Sequence, residues 1–322
     1  MSRRHFGATD MAAVHPVFKT RAARHFREYS NFVESTHERV LKKWELAVKE
    51  LATRGKIKRE IVGRVQQLII DLINDQYTAN LVLRRDPVVV SSKLSSKYYP
   101  VQTSVAYLSP SFFTIGGSRV DALIVNILAA QIQRDELVMA TFVTGIKFNF
   151  HAIARLEERG IENNPFQGIA DNLNLILKFY CMYLGISKIL KYSGVVIPYG
   201  EHLLFGDYGP ITFDERKKYD SGVRVSKKNA DILDIEAQYN LSLNIRTAVD
   251  YDVLSESQDE LREKLNKFAD DYIEEINIIF ETHFTVSSEK PSKEEYNRAV
   301  SILCENFTPI SNMPEWKRST EK

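Results

Sequence analysis

From Phe18 to Leu51 apolar residues return every three or four positions, apart from one seven-residue gap: Phe18, Ala22, Phe26, Tyr29, Val33, Val40, Trp44, Val48 and Leu51. That period marks one face of an α-helix and predicts a long helix over 15–54. Gly55 punctuates it, and Ile61, Val65, Leu68 and Leu72 predict a second helix from about Lys58 to Leu83. Two long helices with a short connection form an antiparallel hairpin whose apolar stripe must be buried on the rest of the chain or on a partner. Pro87 begins a different texture of β-branched residues, serines and prolines, read as strand and loop up to a hinge at Gly116-Gly117. Residues 120–133 are apolar enough for a strand or a buried helix, and periodicity leaves both open. Residues 136–150 read as strand.

The second half is helix, strand, helix. A short helix from His151 to Arg159 is closed by Gly160, and a longer one runs from Pro165 to Tyr192. Short strands follow at 195–199 and 202–205, then a polar insertion loop from Asp207 to Asp231. Leu241, Leu243 and Ile245 alternate, predicting a strand within 239–253. Ser255 opens a helix to about His283, with Ser257 and Glu260 in capping-box spacing. Its seam is Leu261, Leu265, Phe268, Tyr272, Ile276, Ile279 and His283, and its other face is acidic. A last helix is expected near 292–306. The fold class is α+β: a small antiparallel sheet with packed helices, flanked by an N-terminal helical hairpin and C-terminal helices. The expected division is 1–85, a basic helical hairpin; 86–255, the α+β core; and 256–322, acidic helices.

Composition narrows this. The chain has 322 residues, 44% of them hydrophobic, which suffices for a large core. No apolar run approaches the ~20 residues of a transmembrane helix, and Arg3 and Arg4 have no hydrophobic stretch behind them, so neither membrane nor signal peptide is expected. Cys181 and Cys304 are the only cysteines; isolated thiols in apolar helical surroundings imply buried structural residues in a reducing, cytoplasmic setting. The net charge of +1 conceals a gradient: residues 1–85 hold 17 Lys/Arg against 9 Asp/Glu, and residues 231–322 hold 10 against 20. The basic end fits nucleic acid, the acidic end of its own chain, or a second copy.

Phosphate-binding glycine loops, HExxH and nucleophile-elbow motifs are absent, so no cofactor and no dedicated metal site is expected. Asp250 and Asp252 would share one strand face, an arrangement found for divalent ions and, more commonly, for solvated acids. Lys19, Arg21, Arg24, His25 and Arg27 cluster on the first helix around Phe26 and Tyr29. They suit phosphate contact, or simply a solvated face. In 148–161, FNFHAIARLEERGI, His151, Arg155 and Arg159 step by four and share one helix face with Glu158. A histidine moves protons near neutral pH and guanidinium groups stabilise charge on a phosphodiester, so this trio suits metal-independent RNA cleavage. The same spacing equally allows Arg155 and Arg159 to pair with Glu158 or other acids, with His151 at the helix start.

His151-Ala152-x-x-Arg155-x-x-x-Arg159-Gly160-Ile161 resembles the opening helix of toxin-like proteins of bacteria and phages, among the barnase–EndoU–colicin–RelE-like ribonucleases. The resemblance covers roughly 147–253. It implies a helical portion before a small antiparallel sheet, with His151, Arg155 and Arg159 acting on RNA; Arg246 and Tyr251, which match no fixed motif of that family, are expected on the last strand as nucleic-acid contacts facing the helix. The long helix 165–192, the extra stretch 207–238 and the helical arms depart from that family. The expected function is an RNA-cleaving effector, a toxin or antiphage component. The alternative is a non-enzymatic assembly or nucleic-acid-binding subunit, a homo-oligomer or a partner's subunit joined through the helical seams.

Overall fold

The structure is a computed structural model that describes residues 14–32, 78–80, 101–115, 118–133, 136–187, 189, 194–210, 221–226, 230–233, 241–284 and 290–320. Its elements in chain order are α1 (Pro16–Phe32), β1 (Thr78–Asn80), β2 (Val101–Ile115), β3 (Ser118–Gln133), β4 (Glu136–Asn149), α2 (Phe150–Glu158), α3 (Pro165–Asp171), α4 (Leu173–Ile186), β5 (Gly194–Tyr199), β6 (His202–Pro210), β7 (Ser221–Ser226), β8 (Ala230–Leu233), β9 (Leu241–Val249), a 3₁₀ turn (Tyr251–Val253), α5 (Glu256–Asp271), α6 (Ile273–Phe284), α7 (Lys293–Ser311) and α8 (Pro314–Thr320). The α+β class holds. The first helix is described only to Phe32; the expected helix beyond it, most of its hairpin partner and the Gly116-Gly117 hinge lie outside the described residues. Within the second expected helix, Thr78–Asn80 is instead a strand paired with β2.

The sheet is neither small nor wholly antiparallel. Among the described residues nine strands join it, in the order β1-β2-β3-β4-β9-β6-β5, with β7 on β4 and β8 on β7. β2, β3 and β4 form a meander of 15, 16 and 14 residues, far beyond the usual ~5–6. Residues 120–133, ambiguous by pattern, are strand because both their sides are covered: Leu123, Val125, Ile127 and Ala129 are buried, as are Ala122 and Asn126 between them. Among the described residues β1 pairs only with Val105–Tyr107, so Pro110, which lacks an N–H, faces no described strand on that side of β2. β4 forks: Glu136–Thr141 pair with β7, and Ile146–Phe148 with β9 in the one parallel junction among the described residues. The expected insertion loop after Asp207 is therefore partly strand, since β6 runs to Pro210 and β7 and β8 form a hairpin.

The centre is α4. Eleven of its fourteen residues are buried, Phe179, Tyr180, Cys181, Met182 and Tyr183 among them, so it has no water-facing stripe. It touches β1 at one end of the sheet and β5 at the other, and α5, α6 and α7 from the C-terminal segment. The Tyr180 hydroxyl donates to the Leu241 carbonyl at 2.8 Å. The Tyr183 hydroxyl donates to the Val196 carbonyl and accepts from the Val196 N–H at 3.2 Å. Among the described residues β5 pairs on one side only, with β6. Tyr183 thus occupies groups on its open side that would otherwise face another strand. At Gly194 an added Cβ would lie 2.4 Å from the backbone of Thr320, so α8 closes on the same strand where no side chain fits.

The seam of 261–283 is spent inside the molecule. Leu261, Leu265, Phe268, Ile276, Ile279 and His283 are all buried, in α5 and α6, which pack on β5, α4, α7 and α8. Likewise Ala22 and Phe26 of α1 are buried. One cluster of buried side chains runs from Val14 to Trp316 and draws on all three expected segments. The capping box falls two residues earlier than the spacing suggested. Ser255 Oγ accepts from the Gln258 N–H, and Gln258 Oε1 from the Ser255 N–H, at 3.3 and 3.1 Å. Ser257 instead donates to Glu315 of α8 at 3.1 Å. The helix expected over 165–192 is split at Asn172, whose side-chain amide donates to the Gly168 carbonyl at 2.8 Å. Cys181 is buried and burial pushes its thiol up; Cys304 is half-buried, its thiol 3.7 Å from the Gly185 carbonyl. Among the described residues no helix is long and apolar enough to cross a membrane.

Two predictions follow from this core. Replacing Tyr183 with Phe leaves both Val196 backbone groups without their partner and is expected to lower stability by about 1–3 kcal/mol, read from the urea midpoint. His283 sits between Phe284 and Tyr296; burial first, then the charge of Lys290, holds its imidazole down to about 4. Between its ordinary value near 6.5 and 4, the unfolded chain takes a proton that the folded one refuses. This term is therefore fully present above the unfolded value and is lost as pH falls toward 4. It amounts to on the order of 3 kcal/mol. His283→Phe should lose less stability between pH 7 and 4.5 than the parent; parallel curves would show that His283 takes up its proton alike in both states.

Candidate functional site

α2 begins where Asn149 accepts the Ala152 N–H on its side chain at 2.8 Å, and ends at Gly160, whose φ of +67° suits glycine. It lies against β3, β4 and β9 and is crossed by α1. His151, Ala152, Ile153, Ala154 and Leu156 are consequently all buried. The expectation that one face of this helix meets solvent fails here. His151 is only 5% exposed. Arg155 pairs with Glu158 of the same helix, its side chain 13% exposed. Arg159 forms the C-cap, partly buried, its N–H bonded to the Arg155 carbonyl at 3.1 Å. The spacing does place the three on one side of the helix, but not as a trio open to a substrate. Just beyond, Tyr199 donates to Glu162 at 2.7 Å, with its hydroxyl pushed up by burial and by that carboxylate, and ties this loop to β5.

The acids of α2 serve α1. Glu158 accepts the His15 N–H at 2.9 Å besides its bond with Arg155. Glu157, its side chain 8% exposed, lies 3.4 Å from Arg21 and 3.9 Å from the His25 Nε2. Apolar contacts complete the joint: Phe26 stacks on Phe150 at 5.8 Å and meets Phe166 edge-on at 5.1 Å. The basic N-terminal helix thus meets acids of α2, which lie outside the acidic C-terminal segment that the charge gradient offered as its counterpart. The sequence signal was present in Glu157-Glu158 at the end of this helix.

With its apolar side on α2, α1 turns Arg21, Arg24 and Arg27 outward. Arg21 and Arg24 side chains are 52% and 62% exposed, and Arg27 is exposed. Arg24 has only a loose partner, Glu28 at 3.7 Å, itself 64% exposed. Lys19 is partly buried, and Val17 beside the ridge is exposed. Successive arginines three residues apart rise by about 4.5 Å along the helix.

The remaining candidates lie elsewhere. Arg246 occupies the irregularity where β6 and β9 shift register between Phe205 and Gly206, and its guanidinium is held by Asp207, with Nη2 2.9 Å from Oδ2. Its partner is a carboxylate of the neighbouring strand. Tyr251 is not on the last strand but in the 3₁₀ turn after it, 45% exposed, its N–H donated to His202 Nδ1 at 3.1 Å. Asp250 precedes that turn and lies 3.2 Å from the same nitrogen, so Asp250 and Asp252 do not alternate on a strand face. His202 was not singled out in the sequence, and no local motif marks it. Among the described residues no cluster of three or more His, Cys, Asp or Glu side chains could hold a metal ion.

No protein-family model matches the chain, and no curated protein and no solved structure is similar enough to count as a match. The resemblance to toxin-like ribonucleases rests on the short stretch from His151 to Ile161 alone.

His151→Ala is expected to act on the fold. Loss of a buried ring should cost about 1–3 kcal/mol in chemical unfolding. A variant that kept full stability while losing an RNA-cleaving activity of the parent would return the trio to a catalytic role.

Proposed function

We propose that this protein is a nucleic-acid-binding subunit that holds a phosphodiester backbone along the outward face of α1, without cutting it through His151. The observation that carries the reading is the ridge of Arg21, Arg24 and Arg27, exposed along a helix whose other side is fixed to the core. A guanidinium keeps its charge at any physiological pH and presents paired donors to phosphate oxygens. On a rigid helix such groups are held apart at fixed intervals, which favours a linear polyanion over a single small anion. Nothing in the ridge reads base edges, so the contact is sequence-independent.

Two competing readings have less behind them. A histidine 5% exposed and an arginine bound to its own helix's glutamate give a ribonuclease no open site at α2. The seam residues of 261–283 that suggested an oligomer surface are covered by the chain's own strands and helices.

Fluorescence anisotropy with a labelled single-stranded RNA, titrated at several salt concentrations, tests the proposal. Binding should weaken steeply with salt. Arg24→Gln with Arg27→Gln should weaken it further and flatten the salt slope by about 1.4, the share of two phosphate contacts on a single strand. Absence of binding at low salt, or a double variant that binds like the parent, would refute the assignment.

A further inference from the structure

We infer that Glu157 is a built-in competitor for Arg21, so that docking α1 on the core lowers its affinity for nucleic acid; this rests on the reading of α1 as the binding surface. The geometry is asymmetric. Glu157 is almost covered, 8% exposed, while Arg21 stands half in water at 52%. Their contact is loose, 3.4 Å, at the limit of a hydrogen bond. The other oxygen of Glu157 accepts no hydrogen bond among the described residues and has only His25 nearby, at 3.9 Å. Glu158, by contrast, is satisfied by Arg155 and the His15 N–H without drawing on the ridge.

A poorly satisfied, covered carboxylate holds on to whatever cation is in reach. Arg21 has the free side needed to turn toward a phosphate, but it cannot serve both acceptors in full. A binding-competent Arg21 is then only one of two populations, and apparent affinity falls by the fraction held on Glu157. Among the described residues Arg24 and Arg27 have no such covered rival: the acid near Arg24 is Glu28, as exposed as the arginine itself. The three arginines therefore differ in kind. Two are freely available, and the third carries a restraint anchored in α2.

The test is a double-mutant cycle on the full chain, with the same labelled single-stranded RNA at fixed low salt. Glu157→Gln should tighten binding about two- to fivefold, the worth of a partly exposed ion pair. In an Arg21→Gln background the same change should have no effect. Equal tightening in both backgrounds would reduce Glu157 to a general repulsive charge and overturn the inference, as would no tightening in the parent. If neither the parent nor Glu157→Gln bound RNA in a salt-dependent way, the reading of α1 itself would fall, and the inference with it. Unfolding midpoints establish that each variant folds. Should Glu157→Gln not fold, Glu157→Asp keeps the covered charge but withdraws it by one methylene. It should tighten binding in the same direction, and unchanged affinity there would also overturn the inference.

Discussion

A helix with eleven of fourteen residues buried needs cover on every side, and most of the architecture can be understood as the means of covering α4. Strands at both ends of the sheet come to it, and α5, α6 and α7 close the rest. Its two central tyrosines show how polar atoms survive in that setting. Tyr180 and Tyr183 each spend their hydroxyl on strand backbone, at Leu241 and Val196, so aromatic burial and hydrogen bonding act through the same side chains. Aromatic contacts extend the cluster outward, from Tyr183 to Trp316 and from there to Phe307 and Phe268. Helices near the C-terminal end of the sequence are in this sense fastened to the middle of the chain.

With α4 and the sheet as a fixed body, α2 becomes a ledge and α1 the piece laid on it. The joint combines Phe26, Phe150 and Phe166 with the carboxylates of Glu157 and Glu158. Apolar contact sets where α1 lies, and the acids set which way its cations turn. Arg24 and Arg27 face solvent, while Arg21 stands between Glu157 and solvent, so what a ligand can reach follows from how the inward side is held.

Much of the fold could be read from the sequence where one residue period dominates. Helices at Pro16, Phe150 and Pro165, the alternation at Leu241–Ile245 and the glycine stop at Gly160 belong to that class. Failures came where tertiary cover decides. β3 is apolar on both sides and so carries no period. Thr78–Asn80 is too short to break a helical pattern. Ser255 and Ser257 each have an acceptor three residues on, Gln258 and Glu260, and it is the contact of Ser257 with Glu315 that selects between them. At the candidate site the spacing of His151, Arg155 and Arg159 identified a shared side of α2 but carried no information that a second helix would lie across it. Arg21, Arg24 and Arg27 were legible as a basic cluster because exposure is the ordinary state of arginine.

The parallel junction between β4 and β9 has a bearing on how the molecule comes to be folded. Among the described residues the other strand pairs are antiparallel, whereas Ile146–Phe148 pair in parallel with Leu243–Ile245, and beside them the Ser242 hydroxyl donates to the Gly145 carbonyl across 97 residues. Such closure is entropically slow. During synthesis the meander and α4 emerge first, and the edge of β4 stays open until β7 and then β9 follow. The interval is a window in which that unsatisfied edge is available to other chains, and its length is set by translation speed rather than by stability.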